Sequence, residues 1–377
     1  MSAPFTYYEF FAGGGMARAG LGEAWGCLFA NDFDPVKTRA YRANWGADHL
    51  REGDVHALTP ADLPGQADLA WASSPCQDFS LAGLRRGLEG TRSSAFWGFW
   101  RLMQGLAAEG RAPRAVVVEN VAGLTTSHGG RDFTALCQAL ADAGYRFGAL
   151  EVDAAAFLPQ SRPRLFVIAT REPVSPALLA PAVGPAHGRR VREAHARLPD
   201  ALKARWLAWR PPGAARRNAR VADLLEDEAA VRWHAPALTE RLLGQLSPLQ
   251  RERLALERAA GGRRVGLAFR RTRIEDGVRV QRAEVRFDGL AGCLRTPGGG
   301  SSRQFVIEVD GARTRSRPLS AREGARLMGL PDHYVLPAAE TAALKVVGDG
   351  VVVPVVRALA EQVLEPILGG EVLAAAG

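Results

Sequence analysis

Three short stretches hold residues whose types and spacing could do chemistry. "SSPCQDFS" (73–80) closes an apolar run with Cys76 set between Pro75 and Gln77-Asp78, a poor context for a core thiol. "VVVENV" (116–121) closes a second apolar run on Glu119 and Asn120. "PQSRPRLFVIA" (159–169) places Arg162 and Arg164 just before a third. Alternating positions of extended backbone share a face, so the two arginines could reach one anionic or carbonyl-bearing ligand, or form a charge pair at a sheet edge. A thiol and a carboxyl at the ends of neighbouring strands suggest a nucleophile and an acid. The other cysteines, Cys27, Cys137 and Cys293, form no CxxC pair and have no histidine at zinc-like spacing. Cys27 and Cys137 sit in apolar patterns and read as core thiols, and no metal is expected.

A fourth stretch concerns a ligand. "FFAGGG" (10–15) joins a first strand to a first helix, and "NDFD" (31–34) ends the next strand about 20 residues on. Glycines let a ligand approach the backbone at a strand end, and an acid ending the second strand can hold ribose hydroxyls. NAD and S-adenosylmethionine sites share this logic. The third glycine of the dinucleotide pattern is missing, because Arg18 stands three positions after Gly15. That tilts against NAD. "REGDV" adds Asp54 at the end of a third strand, placed for an adenine amino group.

The elements that must position these residues are legible as alternation. Strand-like runs of four to eight residues ("TYYEFF", "GCLFAND", "ADLAWASS", "RAVVVEN", "RLFVIAT") alternate with helical patterns across residues 1–172. The helices include "PVKTRAYRANW", with Asp34 as N-cap, and the aromatic-rich "SAFWGFWRLMQGLAAEG". This predicts an α/β fold, a parallel sheet with helices on both faces. Residues 173–240 are rich in Pro and Ala and read as loops and linkers, and 262–312 read as short strands with turns. "SAREGARLMGL" is a helix with a Ser320–Glu323 capping box, and "VVGDGVVVPVVRALAEQV" reads as strand passing into helix through Gly348-Asp349-Gly350. The expected organisation is one α/β domain from 1–172 plus 318–377, with a smaller basic β-rich domain inserted at 173–317.

Composition is that of a globular chain, with 47% hydrophobic and 23% charged residues. No signal peptide or membrane span is read, so a cytoplasmic protein is expected. Residues 251–317 hold sixteen arginines, no lysine and eight acids, an excess of eight that equals the whole net charge of +8. Such a patch faces a polyanion or is a solvated surface in an arginine-rich composition.

In this order, "EFFAGGG", "NDFD", "GDV", "SSPCQDFS", "VVVENV" and "QSRPR", then "RPLSAREGARLMGLP" and "VVGDGVVVP", resemble the DNA cytosine-5 methyltransferase family over about 1–172 and 290–358. The resemblance implies a Rossmann-like, S-adenosylmethionine-dependent sheet with a target-recognition domain inserted. It implies that Cys76 adds to C6 of a flipped cytosine. Glu119 hydrogen-bonds N3 and the exocyclic amine, and Arg164 holds O2 with Arg162 in support. For the cofactor it implies Phe11, Gly13, Gly15, Asp32, Phe33, Asp54, Val55, Pro75, Asp349 and Val351. For double-stranded DNA it implies Gln77 and Ser80, and, in the insert segment "GCLRTPGGGSSRQ", Arg295, Thr296, Gly298, Gly299, Ser301 and Arg303. Two positions depart from the family pattern: Glu9 where Asp is usual, and Asp349 where Asn is usual. Asp349 could pair with the cofactor's ammonium or with an arginine. The chain is expected to act as a monomer, associated with the nucleoid through DNA, with a restriction endonuclease as functional partner or as a solitary or phage-borne enzyme. Competing readings are the tRNA-modifying branch of the family, which typically has a shorter insert, and a catalytically silent DNA-binding relative.

Overall fold

The computed structural model describes residues 3–75, 95–214, 217, 219–275, 277–296 and 303–370. In chain order its elements are β1 (Phe5–Phe10), α1 (Met16–Leu21), β2 (Trp25–Asp32), α2 (Pro35–Trp45), β3 (Leu50–Glu52), β4 (Leu69–Ala72), α3 (Ala95–Ala108), β5 (Ala115–Asn120), α4 (Arg131–Asp142), β6 (Arg146–Asp153), β7 (Pro163–Thr170), α5 (Arg189–Arg197), α6 (Asp200–Lys203), α7 (Pro236–Gly244), α8 (Pro248–Ala259), β8 (Arg263–Glu275), β9 (Val278–Arg286), β10 (Gln304–Asp310), β11 (Arg313–Pro318), α9 (Ala321–Leu327), α10 (Glu340–Asp349), α11 (Val353–Leu359) and α12 (Glu365–Leu368). They fall into two compact units. Unit 1 comprises 1–153, 163–214 and 351–377, and unit 2 comprises 154–162 and 215–350.

Unit 1 is built on a seven-stranded sheet of order β3-β2-β1-β4-β5-β7-β6. The central strands β4 and β5 are buried at every residue, as their unbroken apolar runs require of strands covered on both faces. α3 buries Phe96, Phe99, Trp100, Met103 and Leu106, spaced three and four apart, in a core shared with Tyr8, Phe10, Val116 and Val118. The sheet is parallel except for β7, which runs antiparallel to both β5 and β6. β6 was not foreseen in the sequence, because Gly148 and Glu151 interrupt its apolar pattern. Gly148 is there because the backbone of Leu207 crosses where a Cβ would stand. Phe147 exchanges backbone hydrogen bonds with Arg205 and Leu207, so part of the Pro- and Ala-rich stretch packs on unit 1 beside β6. The C-terminal segment returns to unit 1, where a Cβ on Gly20 of α1 would collide with Val356 of α11.

Unit 2 carries a four-stranded antiparallel sheet of order β11-β10-β8-β9. Its core joins Ala268, Ala283, Val285, Phe305 and Ile307 to Leu242 and Leu254 of α7 and α8. Ser320 caps α9 through the expected box with Glu323. The strand expected just before Gly348-Asp349-Gly350 is instead part of α10. Ala343, Leu344, Val346 and Val347 are buried on one helix, and a short apolar run does not distinguish strand from helix. The segment 318–350, expected to join the first domain, lies in unit 2, while 173–214 lies in unit 1.

Candidate active site

The carboxyl ends of the central strands of unit 1 gather the candidate ligand and catalytic residues. β1 ends at Phe10, and the loop that follows enters the left-handed region at Phe11 (φ 58°), Gly13 (φ 59°) and Gly15 (φ 78°). Such conformations favour glycine, and Phe11 adopts one without being glycine. Gly15 is also fixed by space, since a Cβ there would meet the ring of Trp45, whose Nε1 donates to the Gly14 carbonyl. Nothing stands within 4 Å of a Cβ on Gly13, so the loop is open there.

Asp32, at the end of β2, ties this loop down. Its Oδ2 accepts from the Gly13 N–H at 2.8 Å and its Oδ1 from the Asp34 N–H at 2.8 Å. Burial raises its pKa, against the pull of Lys37 and of these two amides. A carboxylate keeps further lone pairs for ribose hydroxyls. Phe33, the next residue, is 66% exposed, a flat apolar face at the strand end. Asn31 donates to the carbonyls of Arg51 and Gly53 and so fixes the turn that presents Asp54. Asp54 accepts from the His56 N–H, and Val55 is buried. An open glycine loop, an acid and an exposed aromatic ring fit a nucleoside cofactor. Glu9 lies beneath the loop, 1% exposed, and its burial pushes its pKa up to about 8.

The catalytic candidates lie at the ends of β4, β5 and β7. Because β7 is antiparallel, its first residues sit at the carboxyl end of β5, with Asn120 paired to Leu165 and Glu119 to Phe166. That puts the guanidinium of Arg164 beside the Glu119 carboxylate, Nε to Oε1 at 3.2 Å, both largely buried. Asn120 holds the neighbouring strand end: its Nδ2 donates to the Ser74 carbonyl at 2.9 Å and the Ser74 Oγ at 3.3 Å, and its Oδ1 accepts from the Val121 N–H. Ser74 leads into Pro75, which is exposed. Cys76, Gln77 and Ser80 lie outside the described residues.

Arg162 belongs to unit 2 and serves that unit's backbone. It is 2% exposed, donating to the carbonyls of Leu294, Gly348 and Gly350 and contacting the Cys293 sulfur. The sequence expectation that Arg162 and Arg164 reach one ligand therefore changes: Arg164 meets Glu119, and Arg162 braces the 293–294 and 348–350 segments. Gln160 braces the same unit, donating to the Leu327 carbonyl and accepting from the Leu294 N–H. Asp349 accepts from the Thr296 hydroxyl. A Cβ on Gly348 would lie 2.6 Å from the Arg295 carbonyl carbon and 2.7 Å from the Thr296 nitrogen, so the glycine permits this approach. Arg295 is exposed, Arg303 pairs with Glu340, and Gly298, Gly299 and Ser301 lie outside the described residues. Val351 of unit 1 is buried. The roles of Trp45 and Asn31 carried no sequence signal, since nothing local marks a helix-end tryptophan as the neighbour of a glycine 30 residues earlier.

Comparison with known proteins gives this site a family. Residues 5–365 match the model of the C-5 cytosine-specific DNA methylases. The chain is 28% identical to the Type II methyltransferase M.NlaX of Neisseria lactamica, over 95% of this chain and 96% of that protein. It is 26% identical to the Type II methyltransferase M.HpaII of Haemophilus parainfluenzae, over 96% and 90%. Among solved structures its fold is similar to that of the Dnmt2 methyltransferase of S. pombe, with a TM-score of 0.60 at 17% identity over 96% of this chain and 99% of that one. It is also similar to a putative DNA modification methyltransferase encoded within an E. coli prophage, with a TM-score of 0.53 at 18% identity over 97% and 99%. A match across nearly the whole length establishes that this chain belongs to the C-5 cytosine-specific DNA methylase family.

Proposed function

We propose that the protein methylates C5 of a cytosine in duplex DNA, with Cys76 as nucleophile and the Glu119–Arg164 pair as the base-holding groups. The observation that carries this reading is that pair at the carboxyl end of β5, beside a strand end that Asn120 anchors just before Pro75 and Cys76. Cytosine C5 is a poor nucleophile. Addition of the Cys76 thiolate to C6 makes C5 enamine-like. S-adenosylmethionine, when bound, supplies the electrophilic methyl. With a proton on one oxygen, Glu119 donates to N3, which draws electrons from the ring as the thiolate adds, and its other oxygen accepts from the exocyclic amine. Arg164 holds O2 and keeps the Glu119 carboxyl oriented. Water takes the C5 proton, its electron pair re-forms the C5–C6 double bond, and Cys76 leaves as the thiolate. Asp32, Phe33, Asp54 and the Phe11–Gly15 loop would hold the cofactor, with Pro75 and Val351 as further candidates from the same unit.

The base must leave the duplex, at a cost of a few kcal/mol that DNA contacts must offset. Unit 2, with the arginine excess, is the candidate DNA-binding unit. Its Arg295, Thr296 and Arg303, with Gly298, Gly299 and Ser301, are the candidate contacts, together with Gln77 and Ser80. Phosphate contacts from arginine make binding fall steeply with salt. A monomer acting in the cytoplasm on nucleoid DNA, with a restriction endonuclease as functional partner, suits relatives named Type II methyltransferases. Incubation with tritiated S-adenosylmethionine should label duplex DNA and leave tRNA unlabelled. Labelling by the Cys76→Ala variant would overturn the mechanism.

A further inference from the structure

Unit 2 holds a pocket of about 290 Å³ that none of the residues assigned above lines. We propose that it receives one nucleotide unit of the DNA strand, with the base against its apolar wall and the phosphate against two arginines. The proposal rests on the reading of unit 2 as the DNA-facing unit.

The pocket is at the small end for ligand sites, which suits a single base with its phosphate. Arg241 of α7 and Arg270 of β8 line it from different elements. The Arg270 guanidinium lies 5.0 Å over the Phe305 ring. Stacking fixes the plane of a guanidinium and keeps its N–H donors in that plane, the fork that phosphate oxygens match. Phe305 and Leu238 supply the apolar wall, and Leu238 is 51% exposed, a lip for a flat ring to enter over. The His234 ring stands 5.9 Å from Phe305 and is held by a hydrogen bond between its Nδ1 and the Ser316 Oγ. Burial first, then Arg303 and Arg270, lowers the pKa of His234, so the imidazole is neutral near pH 7 and adds no repulsion to the arginines.

Gln245 adds a polar group to the lining. Its Oε1 is buried with no hydrogen-bond partner among the described residues. A buried acceptor without a donor carries a desolvation cost that nothing described in the fold offsets. Each base offers an N–H that could supply the missing donor: the exocyclic amine of adenine, cytosine or guanine, or N3–H of thymine. In sequence, Phe305 lies two residues beyond Arg303, which is assigned to DNA.

Binding of mononucleotides to the full chain tests this, read by saturation-transfer NMR with S-adenosylhomocysteine saturating the cofactor site. The four mononucleotides should bind several-fold tighter than the nucleosides or inorganic phosphate. Arg270→Ala should weaken the monophosphates about tenfold, and Arg241→Ala serves where Arg270→Ala does not fold. Gln245→Met, which removes the acceptor, should weaken all four mononucleotides several-fold. Saturating duplex DNA should displace the nucleotide. Failure of all four mononucleotides to bind at millimolar concentration would overturn the proposal, as would insensitivity to both kinds of variant. A nucleotide that stays bound under saturating DNA would assign the pocket to free nucleotides instead. No readout involves methyl transfer, so these outcomes and those for Cys76 are separable.

Discussion

Glu9→Gln is the most informative single change, because the wild-type residue is a buried acid with a large, signed consequence. Glu9 is 1% exposed, and its Oε2 has no hydrogen-bond partner among the described residues. Burial, opposed by the nearby Arg18, lifts its pKa from 4.5 to about 8. An acid whose folded pKa lies above its unfolded value keeps a proton in the fold that the unfolded chain releases. Below about pH 4.5 the group is neutral in both states and costs nothing. As pH rises toward 8 the unfolded chain gains ionised Glu9 while the fold does not, so the fold weakens by about 1.4 kcal/mol per pH unit from this group. Above pH 8 the penalty is constant, on the order of 5 kcal/mol as an upper bound. The amide in Glu9→Gln has the same shape and does not titrate. Between pH 5.5 and 8 the wild type should therefore lose roughly 3 kcal/mol more stability than the variant. Urea unfolding followed by tryptophan fluorescence is the assay, since seven of the eight tryptophans belong to unit 1. Parallel pH profiles for the two proteins would refute the reasoning, because they would mean that Glu9 is ionised and compensated in the fold.

Three further outcomes are expected. Asn120→Ala leaves the Ser74 carbonyl and the Val121 N–H without their partner, and it loosens the strand end before Cys76. We expect kcat to fall about 100-fold with the KM for DNA little changed, the scale of an ångström misplacement; a wild-type kcat would show that Ser74 needs no anchor. Glu323 forms a bidentate ion pair with Arg317, both almost wholly buried, so Glu323→Gln should destabilise unit 2 by about 3–5 kcal/mol in thermal unfolding. Burial opposes ionisation of Glu323, but Arg317 and the Ser320 amide overcome it and lower its pKa. The stabilisation from Glu323 is thus present above the usual glutamate pKa and is lost as pH falls through the lower folded value, a loss absent from the variant. Gly348→Ala puts a methyl 2.6 Å from the backbone at Arg295, which cannot move aside as a side chain would, and should destabilise unit 2 by a few kcal/mol in the same melt.

What the sequence disclosed and what it hid divide along the range of the interactions. Strand ends, helix caps and the glycine loop are local, and residues 10–15, 31–34, 54 and 119–120 could be read because each motif carries its own backbone demand. The Asp34 cap of α2 and the Ser320–Glu323 box are of the same kind. The direction of β7 is not local. It depends on β6, whose pattern is broken by a glycine required only because Leu207 approaches from more than fifty residues away. Missing β6 made the sheet look wholly parallel, and it hid how Arg164 reaches Glu119. The roles of the two arginines separate for the same reason. Alternation along an extended chain puts Arg162 and Arg164 on one face, yet the boundary between the units falls at Pro163. Arg164 lies on the sheet, where β5 fixes its register against Glu119. Arg162 lies in the other unit, where three carbonyls more than 130 residues away take its guanidinium. A spacing rule holds only while both residues stay in one element, and the proline between these two marks where that condition ends.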